Sequence, residues 1–367
     1  MQNSGIKSMA FNEKINTNLI LDPGHSWVKV ADENFVPILF PSVLAQWNES
    51  TPGLFDSQTM KITIKESTLP EIAGKCRLVG EKAKMSQLSQ KIYAHKFPKS
   101  HRSIAPWFAI AALSQKIPAG LKEVTIKDSW VVFLLFNEYE AEEYISAIAG
   151  KTTAIVEREI NGKRDIVKLN IDWHQEKMYC LQEGTQAVEF ARHHNLLAFN
   201  KSQLFGSINA GCNTVEVILQ QSDGFVLKKS SFDLGSATLA KAIQPELTSE
   251  VAKRSKSGTV LIDQILDALK EGQSNARYCY GTGTGTEFTE IFLRAREIWV
   301  MNIMGSVLEE WAENIAFVDK IFVHGGSASL LDIEEDQFFF FNEHNPQFVD
   351  VWGALLWAQK NLFDPYN

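Results

Sequence analysis

Asp22, Gly24 and Lys29 stand in D-x-G-x-x-x-x-K spacing inside Leu19 to Val30, LILDPGHSWVKV, between two apolar, β-like runs. An Asp closing one strand, a Pro23-Gly24 turn whose backbone N–H groups converge, and a Lys returning on the next strand offer a phosphate tail an acid, amide donors and a cation. A strand ending in Asp-Pro-Gly is also what an ordinary hairpin looks like. This segment alone leaves both readings open.

Two later segments share its design. Ser207 to Leu219, SINAGCNTVEVIL, is a second hairpin with Ala210 and Gly211 at its turn, then Asn213-Thr214 and the strand Val215 to Leu219. Ile321 to Leu331, IFVHGGSASLL, reads as a buried strand running into Gly325-Gly326-Ser327-Ala328 and then a helix. Paired glycines let backbone approach a flat or anionic ligand, and a helix start adds N–H donors. Gly281-Thr282-Gly283-Thr284-Gly285 invites a similar reading but has neither G-x-G-x-x-G spacing nor a terminal Gly-Lys-Ser/Thr, so it is taken as a surface loop.

The elements that must position these residues follow from periodicity and punctuation. Leu19 to Leu44 reads as three strands broken at Pro23-Gly24 and at Asp32-Glu33-Asn34. Ile104 to Ser114 reads as a buried helix, Trp130 to Phe136 as a buried strand, and Glu138 to Ala149 as a helix. A hairpin follows over Thr153 to Asn170 on an Asn161-Gly162 turn. Glu287 to Ile315 is a long helix with Phe292, Ala295, Trp299, Ile303, Val307, Trp311 and Ile315 on one stripe, which is core packing. The hairpin-strand-helix theme begins again near Ile208, which suggests two remotely duplicated domains without a sequence-level repeat.

The order of phosphate hairpin, second hairpin and strand-Gly-Gly-helix resembles the superfamily of actins, heat-shock chaperone ATPases and sugar kinases. Within it the chain resembles the plasmid-segregating bacterial actins of the ParM (StbA) type over most of its length. Val79-Gly80-Glu81-Lys82-Ala83 resembles that group's V-G-E-x-A segment, and Trp130 to Phe136 the strand before its hydrolytic loop. Leu181 to Ala187 is similar to its P-E-G-x-x-A turn, Asp233 to Leu239 to the Gly-opened helix near the nucleoside, and Asn345 to Gly353 to its last connection.

The resemblance implies an α/β, actin-like (ribonuclease H-like) two-domain fold with a nucleotide cleft between the domains. Its parts would be a flexible extension over 1–18, domain I over 19–200 completed by 342–367, and domain II over 201–341. It implies ATP or GTP with Mg2+ as ligands. Gly24, His25 and Lys29 would contact the phosphates, with Asp22 on magnesium-bound water. Gly211, Asn213 and Thr214 would close over the β and γ phosphates, Gly235 would approach the nucleoside, and Gly325, Gly326 and Ser327 would flank the adenosine.

Asn209 is the main departure, because the second hairpin of that group begins with an Asp that helps hold metal and water. A neutral amide keeps an acceptor but loses the charge, which points to slow hydrolysis. Cys212 and Glu216 also replace the Gly and Asp common in the D-x-G-x-x-x-x-D version, Glu216 restoring a carboxylate one methylene longer. For the group orienting water, Glu140 is the first choice among the acids of 137–143, the alternative being a solvated helix start stabilised by the dipole.

The resemblance thus implies a nucleotide-switched protein that assembles with itself into filaments, with plasmid or other DNA segregation as the task. A small-molecule kinase of the same superfamily, needing a further catalytic Asp, and a non-hydrolysing nucleotide-binding scaffold are the alternatives. A net charge of −8 and the absence of a long basic run argue against direct nucleic-acid binding, so any DNA would be reached through an adaptor. At 367 residues the chain can bury two cores. Its four scattered cysteines suggest neither zinc nor disulfides, and no signal or membrane segment is expected, consistent with a cytoplasmic protein.

Overall fold

The structure, a computed structural model, describes residues 12–15, 17–47, 56–85, 92–93, 100–194, 203–254, 259–273, 276–281, 285–334, 339–341 and 345–363. The chain divides into two compact units, Met1–Glu183 with Trp357–Asn367, and Gly184–Leu356. The joins therefore fall at 183/184 and 356/357, where the sequence suggested 200/201 and 341/342. The turn after Glu183 is bound by the later helix of the second unit through its own backbone amides, as described below.

In the first unit, β2 (Leu19–Pro23), β3 (Trp27–Ala31) and β4 (Pro37–Pro41) form an antiparallel meander. β10 (Val131–Leu135) and β13 (Met178–Gln182) extend it in parallel, giving the order β13-β10-β2-β3-β4. α2 (Ala105–Lys116), apolar along most of its length with Pro106 in its first turn, packs on β2 in one core with Leu19, Leu21, Phe133 and Leu135. α3 (Tyr139–Ile148) follows β10 and adds Tyr144 and Ala147 to that core.

A second sheet of this unit runs β1-β9-β12-β11-β6-β7-β5-β8. Its strands are β1 (Asn12–Ile15), β5 (Val43–Gln46), β6 (Thr59–Ser67), β7 (Cys76–Gly80), β8 (Ile92–Tyr93), β9 (Glu123–Ile126), β11 (Gly150–Ile160) and β12 (Lys163–Trp173), with α1 (Glu81–Met85) after β7. Asn161, φ +53, and Gly162, φ +73, make the two-residue turn between β11 and β12, as the Asn-Gly pair predicts. Asn12–Ile15 corrects one expectation. Placed by the sequence in a flexible extension, it is a strand in parallel register with β9, from Asn12↔Glu123 to Ile15↔Ile126, and satisfies an edge that would leave backbone N–H and C=O groups unpaired. The remainder of 1–18 falls outside the described residues except for 17–18.

The second unit repeats the first sheet's plan. β14 (Leu204–Ala210), β15 (Val215–Gln221) and β16 (Val226–Phe232) are an antiparallel meander, and β19 (Val318–His324) and β20 (Phe339–Phe341) extend it in parallel as β16-β15-β14-β19-β20. α5 (Ser236–Arg254), α6 (Ile262–Gly272) and α7 (Thr289–Glu310) share one core with Ile208, Val215, Val217 and Leu219. The predicted stripe of α7 is in it: Phe292, Trp299, Ile303, Val307 and Trp311 are buried, with Ala295 and Ile315 packed alongside. A small pair, β17 (Cys279–Tyr280) and β18 (Thr286–Glu287), precedes α7. α4 (Ala187–His193) and α8 (Val349–Ala358) complete the fold, α8 carrying the chain back to the first unit. Thr282 to Thr284 of the glycine-rich loop lie outside the described residues.

The helix expected after Gly325-Gly326 is a single 3-10 turn, Ala328–Leu330. Its bonds run from Leu330 N–H to Ser327 O and Leu331 N–H to Ala328 O, and Asp332 at φ +57 ends it before an α-helix can propagate. Helix-start donors are therefore not what this segment offers.

Candidate functional site

Ligands of open α/β sheets sit beyond the carboxyl ends of the parallel strands. In the first unit those ends carry Asp22 on β2, Phe136 after β10 and Glu183 after β13. Asp22 pairs in register with Lys29, and the Lys29 ammonium lies 2.6 Å from Asp22 Oδ2, both side chains almost fully buried. Asp22 Oδ1 is buried with no hydrogen-bond partner. A buried ionised oxygen left without a donor is costly, and water held by a divalent cation would satisfy it. The residues present fit that group.

The turn is fixed by its backbone. A side chain at Gly24 would place Cβ 2.5 Å from Trp27 O, and Ser42 Oγ donates to Gly24 O at 2.5 Å. His25 is half-buried beside it.

Glu183 is the carboxylate that sequence reasoning passed over. Its N–H donates to Leu135 O at 3.0 Å, prolonging the β10–β13 ladder. Register places Leu21, Phe133 and Cys180 at one level, so Glu183 alternates onto the face of Asp22, two strands and roughly 10 Å across. Glu183 is 6% exposed. Glu140, in the first turn of α3, is half-buried and accepts from Asn137 Nδ2 at 3.3 Å in an exposed pair. Burial, with Glu138, Glu183 and Glu140 adding negative potential, pushes the Cys180 thiol up to about 11. Three acids thus converge on one sheet end, and Glu183 is the buried one.

The second unit builds the corresponding place from different charges. Asn209 pairs in register with Glu216, as Asp22 does with Lys29 seven residues on. Asn209 Nδ2 donates to Glu216 Oε2 at 2.9 Å, and Thr214 Oγ1 donates to Glu216 Oε1 at 3.3 Å. The first hairpin's buried pair sets an acid against a cation, the second an acid against a neutral amide. Thr214 turns its hydroxyl onto Glu216, which gives Glu216 a larger part in the site than its spacing suggested.

The other candidates of this unit gather round the same turn. Gly211 N–H donates to Thr214 O at 2.9 Å, while the carbonyls of Gly211, Cys212 and Asn213 accept from Ser236, Ala237 and Gly235 at the opening of α5. A Cβ at Gly235 would lie 2.2 Å from Cys212 O, so glycine is required for helix and turn to meet. Ser327 donates its N–H to Ala210 O at 2.8 Å, and its Oγ donates to Gly211 O at 3.0 Å while lying 2.9 Å from Ser236 Oγ. That hydroxyl pins the turn. Gly325, φ +100, is packed so closely that a Cβ would sit 2.4 Å from Asn209 Oδ1. Gly326 is exposed with nothing within 4 Å of a Cβ, and of the pair it is the one with open space above it. Beneath them, Ser207 Oγ and His324 Nε2 are 2.7 Å apart and buried.

The structure matches several solved ones throughout its length. A 15-stranded ParM filament from Clostridium botulinum aligns at TM-score 0.68 and 16% identity over 95% of this chain and 100% of that one. An archaeal actin homologue in complex with ADP aligns at 0.68 and 14% over 94% and 99%, and Bacillus thuringiensis ParM with ATP at 0.65 and 14% over 95% and 100%. The chain therefore has the two-domain, α/β, actin-like fold. No protein-family model and no curated protein sequence matches it. Among the described residues no helix is long and apolar enough to cross a membrane.

Proposed function

We propose that this chain is an actin-like filament protein switched by a magnesium nucleoside triphosphate. The carrying observation is the duplicated arrangement itself: two meanders of one topology, each with a buried polar pair in the same register beside a close-packed glycine turn. In the first unit Asp22 Oδ1 would accept from metal-bound water and Lys29 would face the phosphates. In the second, the Gly211–Thr214 turn would lie along the phosphates and Gly326 would admit the nucleoside. A bound magnesium ion would supply charge neutralisation to the phosphate oxygens.

Glu183, buried at the sheet end, is the group proposed to orient the attacking water. Asn209 leaves the second hairpin with Glu216 as its only carboxylate, which supports slow turnover. The net charge of −8 favours an adaptor over direct DNA contact if the cargo is a plasmid.

Right-angle light scattering and negative-stain microscopy with and without ATP or GTP and magnesium test the reading. Filaments that require nucleotide and metal are expected. Tight nucleotide binding without assembly would leave a scaffold or a kinase, and no binding at millimolar concentration would overturn the assignment.

A further inference from the structure

One serine pins the hairpin turn in each unit, and both serines use their two donors alike. Ser42, between β4 and β5, donates its N–H to Ser26 O at 2.8 Å and its hydroxyl to Gly24 O at 2.5 Å. Ser327, after β19, donates its N–H to Ala210 O at 2.8 Å and its hydroxyl to Gly211 O at 3.0 Å. They are only 1% and 5% exposed, so neither hydroxyl can fall back on bulk water. Ser42 arrives from the strand after its meander and Ser327 from beyond a parallel strand, so the duplicated sheet plan does not account for the likeness.

Peptide geometry says what such a double bond does. A trans peptide is planar, and among the described residues none is cis, so a carbonyl and the N–H of the next residue point opposite ways. With Gly24 O and Ser26 O drawn to Ser42, the His25 and Trp27 N–H groups face away from it. With Gly211 O drawn to Ser327, the Cys212 N–H faces away from that serine. The Ala237 and Gly235 amides take Cys212 O and Asn213 O at 2.8 and 3.0 Å, which turns the Asn213 and Thr214 N–H groups away from α5 as well. Successive N–H groups turned to one side make a concavity for an anion. The amides at the opening of α5 are themselves bonded to the turn, so the turn and not the helix offers the donors.

We propose that Ser42 and Ser327 are positioning residues, each setting the peptide planes of its own hairpin so that their N–H groups meet a phosphate. Without the hydroxyl, Gly24 O or Gly211 O loses a donor and its plane can turn, presenting a carbonyl where an anion needs an N–H. Gly211 O keeps the Ser236 N–H at 3.1 Å, so Ser42 should matter more. The phosphate rests on the nucleotide reading; the direction of the amides does not.

The test uses the full chain as wild type, Ser42→Ala, Ser42→Thr, Ser327→Ala and Ser327→Thr. Ile62→Val and Ile303→Val, buried in the core of either unit, serve as controls that lower stability away from both turns. Calorimetry with magnesium ATP or GTP, and separately with inorganic tripolyphosphate, reads binding, and thermal melts read stability. Ser42→Ala is expected to weaken nucleotide and tripolyphosphate about three- to tenfold, and Ser327→Ala less. The Thr variants keep the hydroxyl and should bind more tightly than the Ala ones, while the core variants bind like the wild type. Each serine is judged by its own variants. Unchanged binding in the Ala variant, a loss matched by a core variant of equal melting loss, or a folded Thr variant no better than Ala would overturn its role and leave the nucleotide reading standing. If the wild type binds neither ATP nor GTP at millimolar concentration, the nucleotide reading falls and tripolyphosphate alone decides. Weaker tripolyphosphate binding in the Ala variant then sustains the role, and equal binding, or none in the wild type, overturns it.

Discussion

Asp350 holds Gly184 across 166 residues of sequence: its Oδ2 accepts the Gly184 N–H at 2.7 Å, while its Oδ1 takes the Gln186 N–H at 2.8 Å. Gly184 is at φ +91, and a Cβ on Gly353, one turn along α8, would lie 1.9 Å from Gln186 O. The start of α8 is thereby locked to the turn where the chain enters the second unit. Asp350→Ala leaves two buried donors unmet and should cost about 2–4 kcal/mol, Asp350→Asn about half of that because one acceptor survives. Urea unfolding of both variants checks the order.

Asp22 and Lys29 form a buried ion pair whose halves are unequal in consequence. Lys29→Ala leaves an unpaired buried carboxylate and should cost about 3–5 kcal/mol, more than the double change Asp22→Asn with Lys29→Met. The double variant, still folded, should bind nucleotide more weakly by about 1.5–3 kcal/mol for the lost charge-assisted contact. Wild-type affinity in calorimetry would contradict the role given to this hairpin.

Gly325 and Gly326 should respond in opposite ways. Gly325→Ala forces a side chain into Asn209 Oδ1 and Ala210 O at an unfavourable φ, and a loss of about 2 kcal/mol or more is expected. Gly326→Ala has room and should leave the stability within about 0.5 kcal/mol of unchanged while lowering nucleotide affinity. Paired thermal melts and titrations separate the two.

Asn209→Asp replaces an amide that donates to Glu216 by a second buried carboxylate. Without metal the variant should lose about 1–3 kcal/mol; magnesium nucleotide should restore much of it, and phosphate release should quicken. Melting with and without ligand, alongside steady-state phosphate assays, tests both halves.

Cys180 reports the acids around it. With its thiol pushed up to about 11, alkylation should stay slow at neutral pH and climb steadily toward that value. Glu183→Gln removes one negative neighbour, favours the thiolate, and should speed labelling at fixed pH. Mass-resolved alkylation rates decide it; no change would separate Glu183 from that cluster.

The two hairpins and the inner stripe of α7 were legible because each is local: Asp-Pro-Gly punctuation, alternation and three-to-four spacing need only neighbouring residues. The Asn209–Glu216 pair was half legible, since it repeats the Asp22–Lys29 spacing. Glu183 was not, because its position depends on the parallel pairing of β10 with β13, and nothing in a Glu-rich loop and a Glu-Gly turn says which acid ends buried. Asp350 depends on a contact 164 residues or more distant. Asn12–Ile15, with a polar composition, carries no strand signal until β9 presents an edge.

That short strand bears on how the protein should be handled. Because Asn12–Ile15 lies along β9 residue for residue, trimming the chain to begin after it would bare a sheet edge and invite sticking between molecules. Fluorescent or affinity labels at the amino end call for a spacer ahead of residue 12, and a tagged protein that clumps would say more about this seam than about the assembly proposed for the chain.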